Sequence, residues 1–362
     1  MSRRGISIRP VTSRRAAVLG SPIAHSLSPV LHRAAYASLG LAGWSYDAHE
    51  VDEAGLAGFV AGLGPEWAGL SLTMPLKRVA LEVADRAADT AAAIGAANTL
   101  VPEPDGWRAS NTDVTGLVVA LSRARAGSAT AGGATAGFAT AGSEPTGCVA
   151  GSGRSGWGDG APGSVAADHT AGSLTAGGAA GRDGGAVPPS PTDRAVGASP
   201  ASPGRAVVLG AGGTAQAALA ALRELGVDDV TVLVRDAGRA DALRDTASRL
   251  GVSPTIAPVL TDAVAAARVL DGADVVISTL PAGAADELAG ARWRPGVTLL
   301  DAVYAPWPTA IAAGAAASGA TIVSGLEMLL HQAIAQVELM TGHPGPEPAM
   351  RAALDEAVLA RG

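Results

Sequence analysis

Val207-Val208-Leu209-Gly210-Ala211-Gly212-Gly213-Thr214-Ala215 decides the fold. Its three leading apolar residues read as a buried strand, its glycines as a tight turn, and residues 213–225 as a helix. Gly210 permits the turn, and Gly212 lets the backbone approach a pyrophosphate whose charge suits a helix N-terminus. Ala215 stands where a small residue allows close helix–strand packing. Ala211, Gly213 and Thr214 complete a backbone that would face a dinucleotide. The chain has 48 glycines, so the bare pattern is weak evidence. The strand before it and the helix after it give it weight.

Downstream the alternation continues. Strands are expected at 230–234, 274–278, 297–300 and 321–324, and helices at 238–250 and 309–318. This predicts an α/β fold with a Rossmann-like, doubly wound parallel sheet. After the second strand comes Val234-Arg235-Asp236-Ala237-Gly238-Arg239. Arg235 and Arg239 suit a 2′-phosphate and therefore NADP, while Asp236 leaves NAD open. Helices at 326–340 and 346–359 end the chain.

Upstream, a strand is expected at 16–19 and a helix at 28–39, with Ser28 as N-cap and Pro29 first in the helix. A strand at 44–51, a helix from Asp52, a strand at 70–73 and a helix from Pro75 to about 87 follow. Residues 98–102 and 107–110 read as a hairpin around Pro104-Asp105-Gly106, and 112–125 as a helix. From 127 to 203 the chain is Gly, Ala, Ser, Thr and Pro with little apolar periodicity. Such a stretch cannot bury enough surface to offset its ordering entropy, so it is expected to be a disordered insertion. The expected organisation is a substrate-binding αβα domain at 1–126, the insertion at 127–203 and a nucleotide domain at 204–325. The terminal helices, 326–362, are expected to pack back on the first domain.

The bulk numbers exclude several classes. A net charge of −7 over 362 residues gives no basic stripe for nucleic acid. No apolar run approaches the length needed to span a membrane. The apolar run after Arg14-Arg15 ends at Leu19, too short for an export signal. Cys148 is the single cysteine, which fits a reducing, cytoplasmic setting. A small-molecule substrate and a monomer or homodimer are expected. His25, His32, His49, His169, His331 and His343 show no metal-ligand spacing, so no metal is assigned.

Lys77 is the only lysine in a chain with 26 basic residues. Arginine keeps its proton in a protein, whereas lysine can exchange one with a substrate. A composition that turned every other basic position to arginine spared this one, which marks it as a proton donor and acceptor. Asn98 and Asn111 are the only asparagines, and Asn111 leads directly into Thr112-Asp113.

Taken together, these segments resemble the shikimate dehydrogenase family. Gly20-Ser21-Pro22-Ile23-Ala24-His25-Ser26-Leu27-Ser28-Pro29 is similar to the family's opening signature, which implies that Ser26 and Ser28 hold the substrate carboxylate. Leu72-Thr73-Met74-Pro75-Leu76-Lys77 resembles the segment with a substrate-binding threonine, Thr73, and the catalytic lysine. Ser71 stands where the family commonly has Asn. The resemblance further implies that Asn98 binds ring hydroxyls and that Asp113 is the catalytic aspartate. Asp301 to Pro306 and Gly325 to Gln332 resemble two late motifs. These imply Tyr304 and Gln332 at the substrate and Ala302 and Gly325 near the nicotinamide. Asp89 and Val234 fall at positions that contact cofactor in the family, and Val234 replaces its usual Asn. The long insertion is not part of the common pattern.

The implied reaction is reversible NADPH-dependent reduction of 3-dehydroshikimate to shikimate. A quinate or aminoshikimate dehydrogenase using NAD, or a non-catalytic NADP-binding sensor, are the alternatives. Replacing residues 127–203 by a short linker should leave activity largely intact; a chain that then failed to fold would show that the segment is structural.

Overall fold

Ala16 to Gly20 are buried because β1 (Arg14–Gly20) runs inside a sheet covered on both faces. The computed structural model describes residues 13–130 and 204–361. After β1 come α1 (Ser28–Ser38), β2 (Trp44–Glu50), α2 (Leu56–Ala61) and β3 (Trp67–Leu72). Then follow α3 (Ala80–Val83), β4 (Arg86–Ala87), α4 (Asp89–Ile94), β5 (Thr99–Glu103), β6 (Gly106–Ser110) and α5 (Asp113–Thr130). The strands form one sheet in the order β2-β1-β3-β5-β6-β4. β2 and β3 flank β1 in parallel, and β5 runs antiparallel to both β3 and β6.

The second segment holds β7 (Arg205–Leu209), α6 (Gly213–Glu224), β8 (Asp229–Leu233), α7 (Asp241–Leu250), β9 (Thr255–Ala257) and α8 (Ala263–Leu270). It continues with β10 (Val275–Ser278), β11 (Thr298–Asp301), α9 (Ala310–Ala317), β12 (Thr321–Ser324), α10 (Gly325–Thr341) and α11 (Glu347–Leu359). Its strands are all parallel, in the order β12-β11-β10-β7-β8-β9. The winding reverses between β7 and β10, and a ligand crevice opens at that point in such sheets.

Several sequence expectations are corrected. Ser28 is the first helical residue of α1 rather than its N-cap; Leu27 holds that place, without a side-chain cap. No helix starts at Asp52, whose Oδ1 instead accepts the Gly55 N–H in a turn. The helix expected from Pro75 to 87 is broken into turns, the one-turn α3 and the strand β4. These turns let Lys77 leave the chain without a helix around it. The segment expected as one helix from 238 begins as a 3-10 turn, Ala237–Ala240, before α7. α4, β9 and α8 carried no clear pattern and were missed. The insertion expected at 127–203 lies outside the described residues from 131 on, and its first residues instead continue α5 to Thr130.

Helices of the first segment share a core with the second sheet. Leu117 and Leu121 of α5 and Ile94 of α4 pack in one buried cluster with Val208 and Val232 of the nucleotide sheet and Leu219 of α6. Leu330, Val337 and Met340 of α10 and Met350 of α11 join Val18 and Leu31 in another. Ion pairs tie α5, α10 and α11 together at the rim. Arg123 pairs with Glu347, and Arg351 donates to both Glu327 oxygens at 2.6 and 2.9 Å. The Arg123 guanidinium holds the Glu347 carboxyl down at about 2. No helix among the described residues is long and apolar enough to cross a membrane.

Leu117 is fully buried where α5 packs on the nucleotide sheet. Leu117→Ala should therefore cost about 2–5 kcal/mol, read as a lower urea midpoint.

Candidate active site

Two buried residues, Asn98 and Asp113, and the half-buried Lys77 arrive at one point from different segments. Lys77 follows β3 through a turn, and its carbonyl accepts the Ala97 N–H at 2.7 Å. Asp113 opens α5, where Asn111 Oδ1 accepts its backbone N–H at 3.0 Å. Asn111 Nδ2 donates to the Ala96 carbonyl at 2.9 Å, so it links the α5 start to the strand carrying Asn98. Lys77 Nζ reaches Asp113 Oδ2 at 2.5 Å. The other carboxylate oxygen accepts Asn98 Nδ2 at 2.9 Å. Asn98 cannot flip, because its Oδ1 accepts the Thr112 backbone N–H at 2.8 Å. Its amide nitrogen also donates to Gln332 Oε1 at 3.2 Å.

A further hydrogen-bonded set adjoins this cluster, and of its members the sequence pattern marked only Ser71. Gln336 Nε2 donates to the Asn98 carbonyl at 3.1 Å and to Thr99 Oγ1 at 3.0 Å. Its Oε1 accepts Ser71 Oγ at 2.7 Å and faces His32 Nε2 at 3.3 Å. Tyr46 donates to Ser71 at 2.6 Å. An oxygen acceptor makes Nε2 the protonated nitrogen of a neutral His32. Burial lowers the His32 pKa to about 3 and raises that of Tyr46, and the two rings stack 4.0 Å apart. Gln336 lies one helical turn after Gln332, a spacing that could have flagged it.

The cluster forms one side of a cleft of about 280 Å³. Ser26, Ser28 and Thr73 line it with Lys77, Asn98 and Asp113, whereas Tyr304 and Gln332 enter from the C-terminal half. Thr214, Ala302 and Gly325 also reach it. All eight residues expected at the substrate therefore share one cavity. Burial raises the Tyr304 pKa, and the charge of Arg361 opposes that shift. The loop carrying Tyr304 is held by Asp301, which accepts the Val303 N–H at 3.2 Å and Thr309 Oγ1 at 2.7 Å. Gly325 packs so tightly on Ala302 that a Cβ there would fall 2.2 Å from the Ala302 carbonyl oxygen.

The nucleotide motif fits a pyrophosphate. Gly210 has φ +103°, and a Cβ on it would lie 2.8 Å from Thr279 Oγ1, so the turn needs glycine. Gly212 caps α6 with no side-chain cap and open space around it, leaving the α6 amides free for an anion. Ala211 lies between them, and Gly213, the first residue of α6, faces the Lys77 stem, with a built Cβ 3.9 Å from Lys77 Cδ. Arg235 and Arg239 are exposed beyond β8 and enter none of the ion pairs among the described residues. Val234 is buried in the core with its N–H bonded to Ala257 and its carbonyl to Leu260. Asp89 is exposed at the first position of α4. Of the residues expected at the cofactor, Thr214, Ala302 and Gly325 line the cleft and the others lie outside it.

The chain is 32% identical over 353 residues to shikimate dehydrogenase (NADP(+)) of Maricaulis maris, covering 96% of this chain and 97% of that protein. The chain belongs to the shikimate dehydrogenase family. Residues 18–100 match the family described as shikimate dehydrogenase substrate binding domain, and residues 325–354 the shikimate 5′-dehydrogenase C-terminal domain. Residues 206–323 match the saccharopine dehydrogenase NADP binding domain. The Mycobacterium tuberculosis shikimate dehydrogenase structure is similar at 38% identity and TM-score 0.67, covering 95% of this chain and 99% of that one. A Thermus thermophilus shikimate 5-dehydrogenase, solved in complex with NADP(H) and shikimate, is similar at 26% identity and TM-score 0.62 over 95% and 99% of the chains.

The neutral, buried His32 generates a pH test. Its folded pKa of about 3 lies below the 6.5 of a free histidine, so its burial becomes costly once the unfolded chain gains that proton. Its contribution is complete above 6.5 and is lost as pH falls toward 3. His32→Phe should keep the stack on Tyr46 and flatten the pH dependence of Tm across that window. An unchanged slope would remove His32 as its source.

Proposed function

We propose that the protein catalyses the reversible NADPH-dependent reduction of 3-dehydroshikimate to shikimate, in the cytoplasm and as a monomer or homodimer. The observation that carries this reading is the Lys77–Asp113 pair, fixed by Asn98, inside a cleft that both halves of the chain line. NADPH, when bound, supplies the hydride that ends on the ketone carbon. The chain's own groups manage the charge this leaves on oxygen. Lys77, as an ammonium aimed by Asp113, stabilises that oxygen and gives it a proton; in reverse it takes the proton back. Asp113 accepts the neighbouring ring hydroxyl and keeps Lys77 aimed.

The remaining assignments follow the family resemblance. Ser26 and Ser28, at the start of α1, take the carboxylate. Thr73, Asn98, Gln332 and Tyr304 hold ring hydroxyls. Ala211, Gly212, Gly213 and Thr214 meet the pyrophosphate after the Gly210 turn, and Arg235 and Arg239 the 2′-phosphate. Val234 supports those arginines from the core. Ala302 and Gly325 border the nicotinamide, and Asp89 reaches the cofactor from α4.

Lys77→Ala should lower kcat by about 10²–10⁴-fold with little change in KM, because a positioned proton donor acts mainly in the transition state. The rate of NADPH consumption at 340 nm with 3-dehydroshikimate checks this. An unchanged kcat would take Lys77 out of the chemistry.

A further inference from the structure

The segment that organises the reacting cluster starts at the end of α4, and a side chain from the nucleotide half grips it there. Arg249, in the last turn of α7, donates from Nε to the Ala93 carbonyl at 2.8 Å. Its Nη2 lies 3.4 Å from the Ile94 carbonyl and 3.2 Å from Thr246 Oγ1. Thr246, fully buried on the same helix, donates to the Ile94 carbonyl at 2.5 Å. Ala93 and Ile94 end α4, where carbonyls lack helical partners. The next residue, Gly95, turns the chain with φ +76°, and a Cβ there would lie 2.7 Å from Arg249 Nη2. The guanidinium therefore occupies the space that glycine leaves.

Every residue after that turn is bonded to the cluster. The Ala96 carbonyl accepts Asn111, which in turn caps Asp113. Ala97 N–H donates to the Lys77 carbonyl, and Asn98 follows. At its other end, α7 is entered directly from the 3-10 turn that carries Arg239. α7 thus runs from the turn carrying Arg239, proposed for the 2′-phosphate, to the backbone that leads to Asn98.

We infer that Arg249, supported by Thr246, is a positioning residue: through the end of α4 it makes the substrate cluster depend on the nucleotide half of the protein. This rests on the proposed roles of Lys77, Asn98 and Asp113. Removing the grip leaves carbonyls free and loosens residues 95–98. The nucleotide-binding residues themselves are untouched.

The test is calorimetric titration of shikimate into the full chain, without and with saturating NADP, alongside steady-state kinetics. In the wild-type protein NADP should tighten shikimate binding. Arg249→Ala should lose most of that tightening, leaving NADP affinity alone unchanged and raising the KM for shikimate about tenfold, within the usual range of coupling between sites. Arg249→Lys, which keeps the charge and a donor, should recover part of the loss. Thr246→Val provides the same reading if Arg249→Ala fails to fold. A coupling ratio in both variants equal to that of the wild type, or a wild-type ratio of one, overturns the inference. Lys77→Ala run in parallel separates the two levels. If it is inactive while the Arg249 and Thr246 variants behave as wild type, only the positioning role falls. If it turns over normally, the reading of the site falls and this inference with it.

Discussion

Lys77 and Asp113 face each other at 2.5 Å in a cleft where the carboxylate is almost wholly removed from water. Withdrawing charges from water costs several kcal/mol per ion, and their mutual attraction offsets this only when the remaining lone pairs are satisfied. The surrounding architecture serves that need. Asn98 fills the second carboxylate oxygen, and Thr112 fixes which way the Asn98 amide points. Gln336 closes the circuit from below, with its amide nitrogen and oxygen each engaged. A site so saturated is rigid before any ligand arrives, and electrostatic stabilisation of a developing oxyanion requires such pre-set dipoles.

The same requirement explains why the chain breaks its own regularity around residues 73–79. A helix from Pro75 would have satisfied the local pattern. It would also have kept the Lys77 carbonyl within the helix, whereas in the fold that carbonyl accepts Ala97 and joins β3 to the Asn98 segment. Tertiary hydrogen bonding thus overrode local propensity at a functional position, where such conflicts are expected. α5 plays a comparable double part. Its first residue belongs to the cluster, while Leu117 and Leu121 pack against the nucleotide sheet. α5 thus ties the reacting cluster to the core of the nucleotide sheet.

Much of this was legible beforehand. The glycine turn with its flanking strand and helix announced the parallel sheet, because both faces of such a sheet are buried and its strands read as apolar runs. The lone lysine and the two asparagines stood out against an arginine-rich composition. The adjoining hydrogen-bonded set was legible only in part, at Ser71 and in the Gln332–Gln336 spacing. Ser71, Tyr46, His32 and Gln336 come from four separate elements and look individually like ordinary strand or helix residues. Arg249 is likewise one arginine among many until its carbonyl partners are known.

The sequence by itself determined the order of elements, the position of the nucleotide turn and the identity of the groups able to exchange a proton, since these depend on local periodicity and side-chain chemistry. Only the tertiary structure decided which amide faces which oxygen, that Val234 belongs to the core while Arg235 and Arg239 face solvent, and that the end of α4 is held from the other half of the chain. Those outcomes depend on long-range pairing, and a hydrogen bond between residues more than a hundred positions apart leaves no mark in either neighbourhood alone.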